Sequence, residues 1–261
     1  MNALFLMKEY LHYLLKARGV GNMHSPFVYD FMVRVLNDKR HFYAYDEIET
    51  LRNRLLLQKE EIDITDYGTG ATATTTSQRT ISYLLKTSAK PPRQAQLLFR
   101  IAVFYQCRQI LELGTSLGFS AMYLAASGSK TKVLTLEGAP ALAERARKNF
   151  EAPGMKNIEV MAGPFEKTLP LALQQIQKVD LIFFDGNHRK EPTLNYFRQA
   201  LDYTNDDSIF IFDDIHWSPE MKAAWISIKA HPQVTLTIDL FFFGIVFFRK
   251  QLSKQNFVLR F

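Results

Sequence analysis

The sequence predicts an α/β protein built on a doubly wound, mostly parallel sheet that ends in an antiparallel hairpin and follows a helical N-terminal extension. Three observations lead there. From residue 109 onward, short apolar runs alternate with helix-compatible stretches, the pattern of a parallel sheet covered by helices. Several of those runs stop on a glycine or an acid, as strands do where a crevice opens at their carboxyl ends. The last run, VTLTIDLFFFGIVFFRK, holds two strand-like segments close together, too close for a helical crossover.

Each element has its own warrant. Leu4, Met7, Leu11, Leu14 and Leu15 recur at helical spacing, as do Ile48, Leu51, Leu55 and Leu56. Pro26, after Ser25, suits the first turn of a second helix, and Pro91 and Pro92 precede another in QAQLLFRIAVFY. Residues 1–90 are therefore expected to be a helical extension or lid, with His24, Ser25, Pro26, Phe27 and Arg79 either part of it or packing and turn residues. Residues 91–261 are expected to form the ligand-binding domain. There QILELG, KVLTLEG, NIEVMAG, VDLIFFDG and SIFIFDD read as buried strands. Between them FSAMYLAAS, PALAERARKNF, EKTLPLALQQI and LNYFRQALDY read as helices. The closing hairpin is expected to break near Gly244.

Composition narrows the function classes. The chain has 261 residues, 47% hydrophobic, with 21 Phe and 11 Tyr, which excludes disordered and collagen-like classes. The net charge of +6 is spread thinly, with 12 basic and 10 acidic side chains in the first 90 residues. No dense basic tract marks a nucleic-acid partner. A single cysteine, Cys107, precludes an internal disulfide and reads as a buried, inert thiol. The longest apolar run, Leu240 to Phe248, falls short of the ~20 residues that span a bilayer. A cytoplasmic protein with no membrane partner is the expectation.

The most informative stretch is Ile110 to Ser120, ILELGTSLGFS. A strand ends at Gly114, a turn follows, and a helix begins near Phe119. Glycines suit such a turn because a Cβ blocks close approach of a ligand to the backbone. Glu137 closes the next strand 23 positions beyond Gly114, where a carboxylate accepts hydrogen bonds from a ribose diol. Two cofactors share this arrangement. A nicotinamide dinucleotide calls for GxGxxG, yet Ser116 stands where its second glycine belongs. An acid at the strand end, Glu112, suits a cationic amino-acid moiety better than a pyrophosphate, so the loop favours S-adenosylmethionine over NAD. A second glycine-rich segment, Asp66 to Gly70, lacks a good buried strand before it and reads as a turn.

At these residues the chain resembles the class I S-adenosylmethionine-dependent methyltransferases, with their Rossmann-like fold, and within them the catechol and caffeoyl-CoA O-methyltransferases. The resemblance covers about residues 93–250 and is most specific in LELGTSLGFSAMYLA, DLIFFDGNH and FIFDDIHW. It implies a seven-stranded sheet ending in an antiparallel hairpin. It also implies that Glu112, Gly114, Thr115, Ser116, Gly118 and Ser120 surround the methionyl end. Glu137, with Gly138 beside it, then binds the ribose, Gly163 and Phe165 flank the adenine, and Asp185 reaches the cofactor from the fourth strand.

Asp185 ends VDLIFFD, and Asp213 and Asp214 end SIFIFDD. Acids converging on one crevice repel unless something cationic joins them, and oxygen donors suit Mg²⁺ or another divalent cation. The resemblance implies such a metal at Asp185, Asp213 and Asp214, although the third position usually holds Asn. The other reading makes Asp213 or Asp214 a cap or a solvated residue. His188 stands where the catechol-type enzymes place a lysine base; it is either a general base or a surface histidine. Trp217 either walls an aromatic acceptor or belongs to the rim, and His216 is expected to face solvent. The reaction expected is O-methylation of a small aromatic or diol-bearing acceptor, with a homodimer left open. A metal-independent methyltransferase, an NAD-dependent oxidoreductase and a catalytically silent scaffold stay open beside it.

Overall fold

The structure is a computed structural model and describes residues 3–66 and 75–261. The turn expected in the second glycine-rich segment lies, after Asp66, outside the described residues. In chain order the helices are α1 (Ala3–Lys16), α2 (Pro26–Phe31), α3 (Tyr43–Leu56), α4 (Ile81–Thr87), α5 (Pro92–Phe104), α6 (Phe119–Ala125), α7 (Pro140–Glu151), α8 (Phe165–Ile176), α9 (Lys190–Leu201) and α10 (Pro219–Ala230). The strands are β1 (Glu61–Asp66), β2 (Thr75–Thr80), β3 (Gln109–Leu113), β4 (Lys132–Glu137), β5 (Ile158–Ala162), β6 (Leu181–Phe184), β7 (Ile209–Asp213), β8 (Leu236–Asp239), β9 (Phe243–Phe247) and β10 (Gln255–Val258). The chain divides into two compact units, residues 38–175 on the one hand and residues 1–37 with 176–261 on the other.

In the unit of residues 38–175, β3, β4 and β5 pair in parallel, with Leu111 opposite Leu134 and Thr135 opposite Val160. Helices α5 and α7 of this unit start on proline, and α6 follows a glycine N-cap, Gly118. Pro92 and Pro140 stand in first turns, where a missing N–H costs nothing and a fixed φ suits the helix. The helical expectation for the first 90 residues is corrected at β1 and β2, which form an antiparallel pair from Glu61 opposite Thr80 to Asp66 opposite Thr75. Their residues are rich in Thr and Ile, which favour extended backbone. They carry too few apolar residues to show a period.

In the other unit the strand order is β10-β8-β9-β7-β6. β6 and β7 are parallel, β7 and β8 each pair antiparallel with β9, and β10 runs parallel to β8. The hairpin is present, and its break, between Asp239 and Phe243, falls near Gly244 as expected. Gly244 sits inside β9 because a Cβ there meets the Trp225 ring at 2.8 Å. The aromatic excess fills this interior. Phe183, Phe210, Phe212, Phe243 and Phe247 are all nearly inaccessible, and Phe184 stacks on Phe212 with centroids 4.4 Å apart. Each such side chain contributes roughly 1.5–3 kcal/mol on burial. Cys107 is buried and unbridged. No described helix is long and apolar enough to cross a membrane.

Candidate functional site

The turn after β3 is held from several sides. Gly114 and Thr115 donate backbone N–H bonds to Leu136 O at 2.9 and 3.2 Å, and Gly118 donates to Thr115 O at 2.8 Å. Gly114, Ser116 and Gly118 all have positive φ, at 102°, 49° and 86°, so the turn uses the left-handed region three times within five residues. Gly118 is doubly constrained, because a Cβ there lies 2.3 Å from the Phe150 ring. Asn149, on the same helix as Phe150, donates to Leu117 O at 2.9 Å. Neither α7 residue carried a sequence signal, since an Asn-Phe pair on an amphipathic helix looks like ordinary packing.

Two carboxylates face this turn. Glu137 accepts from Ser116 N at 2.7 Å and from Ala139 N at 2.9 Å. Burial raises its pKa, and backbone N–H groups of Ala139, Ser116, Gly138 and Thr115 oppose the rise. Glu112 is fully inaccessible. Thr135 donates to its Oε2 at 2.6 Å and contacts the Thr115 hydroxyl at 2.6 Å. The other oxygen, Oε1, is buried with no hydrogen-bond partner. Burial pushes the Glu112 carboxyl up to about 7, against the hydroxyls of Ser120 and Thr135. Thr135 escaped the sequence reading because it sits mid-strand, where Thr is also a common strand former. Gly163, after β5, has φ 141° and donates to Glu137 O at 2.8 Å, and Phe165 opens α8 two residues later.

In the other unit, Asp185, His188 and Asp213 come together, each offering one ligand atom within 4.8 Å of the others. Asp213 is buried at the end of β7, and His188 Nε2 lies 3.7 Å from Asp185 Oδ1. Asn187 between them adopts φ 57°, and its side-chain oxygen is buried with no hydrogen-bond partner. Asp214, with φ 53°, does not join the cluster. Trp217 donates its backbone N–H to Asp214 O at 2.9 Å and is exposed.

His216 does not face solvent as expected. Its Nε2 lies 2.8 Å from Asp239 Oδ2, its Nδ1 lies 3.5 Å from Glu9 Oε2, and its ring stacks on Phe241. Lys222 Nζ donates to Glu9 Oε1 at 2.7 Å, and Trp225 Nε1 donates to Asp239 Oδ2 at 3.3 Å. The partners come from α1, β8 and α10, far away in sequence, so no local pattern announces the network.

Comparison with known proteins agrees with this geometry. Residues 111–215 match the sequence model of a family described as Methyltransferase domain. A catechol O-methyltransferase of Mycobacterium tuberculosis is 34% identical over 125 residues, 47% of this chain and 55% of that protein. One from Niastella koreensis is 30% identical over 127 residues, 48% of this chain and 57% of that protein. The chain thus spans little more than half the length of these curated relatives. Among solved structures, an O-methyltransferase from Bacillus cereus in complex with S-adenosylhomocysteine aligns with TM-score 0.55 and 21% identity, over 85% of this chain and 97% of that one. The O-methyltransferase TomG from Streptomyces achromogenes, in complex with S-adenosylmethionine, aligns with TM-score 0.57 and 18% identity, over 85% and 95%. These structures share the fold, and the α/β class read from the sequence is the one observed. The resemblance to class I methyltransferases of the catechol type is likewise borne out.

Proposed function

We propose that the chain is an S-adenosylmethionine-dependent O-methyltransferase acting on a small aromatic or diol-bearing acceptor with the help of a divalent cation. The observation that carries this reading is the turn from Gly114 to Gly118, closed on Glu137 with Glu112 buried behind it. The residues fit the cofactor. Glu112 Oε1 is an orphaned buried acceptor and suits an ammonium, whereas a pyrophosphate beside it is repelled. The carboxylates of Asp185 and Asp213, brought together beside His188, are oxygen donors of the kind divalent cations accept.

Each residue then has a task. Glu112 holds the methionyl end, and Gly114, Thr115, Ser116, Gly118 and Ser120 line it with backbone and hydroxyl groups. Glu137, with Gly138 beside it, receives the ribose diol, while Gly163 and Phe165 border the adenine. Asp185 and Asp213 would hold the cation, with Asp214 next to it in sequence. When bound, S-adenosylmethionine supplies a methyl group on positively charged sulfur, and a divalent cation lowers the pKa of an acceptor hydroxyl. His188 lies in the same cluster as Asp185 and Asp213, so its imidazole is placed to take the acceptor's proton. The rest of the catalysis is positioning.

A methyl-transfer assay over a panel of phenols and catechols, with and without chelator, tests this reading. It predicts turnover of catechols that chelator abolishes and added Mg²⁺ restores. Chelator-insensitive turnover removes the cation. Cofactor binding with no turnover of any phenol or catechol points instead to a silent scaffold.

A further inference from the structure

Helix α1 is apolar on two sides. Its inner side buries Tyr13, whose hydroxyl donates to Leu259 O at 2.7 Å, and Glu9, held by Lys222. Its outer side carries Leu4, Met7, Leu11 and Leu15, exposed by 70, 56, 55 and 87%. Their spacing of three and four places them on one stripe. A surface helix normally turns charge to that side, so a stripe of this kind marks a contact surface. The stripe lines a groove of about 580 Å³ whose other walls include Lys8, His12 and Lys222.

The groove's lining holds one ion pair, Glu9 with Lys222, and otherwise only basic polar residues, Lys8 and His12. Helix α10 adds exposed Ile226 and the lysines Lys222 and Lys229. Burial pushes the Lys229 ammonium down, Asp239 opposes this, and Lys16 and Lys222 push it further, so these lysines lie within each other's field. The acids of this region are already engaged. Glu9 is bonded to Lys222, and Asp239 to His216 and Trp225. What faces outward is therefore an apolar stripe flanked on its own helix by exposed Lys8, His12 and Lys16, with half-buried Lys229 on α10.

This rim selects among occupants. A second copy docked about a two-fold axis applies the same patch to itself and sets lysine rim against lysine rim. A surface with an anionic layer over an apolar one matches both features at once, as it does for interfacial basic amphipathic helices. We infer that the face formed by α1 and α10 is a peripheral docking surface for an anionic lipid bilayer. The sequence expectation of no membrane partner rested on the lack of a spanning segment, which a peripheral contact does not need. The inference is independent of the proposed methyl transfer.

Vesicle sedimentation with the full chain tests it, comparing phosphatidylcholine alone with phosphatidylcholine containing phosphatidylserine. Partitioning onto the anionic vesicles is expected to be at least about tenfold greater, and to fall when salt is raised to about 0.5 M. Leu11→Glu and Lys16→Glu, both at exposed positions, are expected to reduce it by about tenfold each while leaving the melting temperature unchanged. Three results overturn the inference. They are equal binding to neutral and anionic vesicles, no binding to either, or a dimer by light scattering that Leu11→Glu dissociates, which assigns the face to a second copy.

Discussion

The turn after β3 and the turn after β7 both leave their strands through left-handed residues, Ser116 and Gly118 in one and Asp214 in the other. They differ in how their charges are handled. In the first, Glu137 accepts from the turn's Ser116 N–H and from Ala139 N–H, and Glu112 accepts from the Thr135 hydroxyl. In the second, two carboxylates and an imidazole converge within 4.8 Å, an arrangement whose like charges raise its energy until a proton or cation is shared. The first turn is shaped before any ligand arrives. The second is shaped for a charge. The contrast teaches that rigidity can come from the main chain in one site while chemistry is left to side chains in the other.

The comparison breaks first at Gly118. Gly118→Ala forces a Cβ to within 2.3 Å of the Phe150 ring at a φ of 86°, with an expected stability loss of about 2–5 kcal/mol. A drop in melting temperature checks it, and adding Phe150→Leu is expected to recover part of the loss. If Gly118→Ala melts like the wild type, the turn is not constrained as described.

The next largest effect is a pH dependence. Between the ordinary carboxyl value of 4.5 and about 7, folded Glu112 keeps a proton that the unfolded chain releases. Stability from this group therefore falls as pH rises through that window, by at most about 3 kcal/mol. Glu112→Gln is expected to flatten that slope in urea titrations run from pH 4.5 to 7.5. An unchanged slope places the titration elsewhere.

At the acidic cluster, the proposed methyl transfer makes His188→Ala expected to lower kcat about a hundredfold with KM little changed, measured on any catechol found to be turned over. Equal loss in KM alone makes His188 a binding residue instead. The smallest effect is expected at the start of α10, where Ser218 caps Met221 N at 3.1 Å. Ser218→Ala is expected to cost about 1 kcal/mol, read by chemical denaturation, with turnover unaffected.

How much of this was legible in the sequence depends on the range of the interaction. The strands ending in Gly114, Glu137, Asp185 and Asp213 stood out because apolar run and terminal acid are neighbours in the chain. The convergence of Asp185 with Asp213 followed from strand topology. β10, the β1–β2 pair and the place of Gly244 inside a strand did not stand out. They are short or polar, and Gly244 owes its place to Trp225, nineteen residues earlier and on another element. His216 was misjudged for the same reason, since its burial depends on Glu9 and Asp239.

The central claim is that the turn after β3 receives S-adenosylmethionine and not a dinucleotide. Isothermal calorimetry with S-adenosylhomocysteine and with NADH, on the wild type and on Glu137→Gln, tests it most directly. The account predicts saturable binding of S-adenosylhomocysteine that weakens by roughly tenfold or more in Glu137→Gln, at about 1.4 kcal/mol per tenfold, and no binding of NADH. Tight binding of NADH with none of S-adenosylhomocysteine contradicts it.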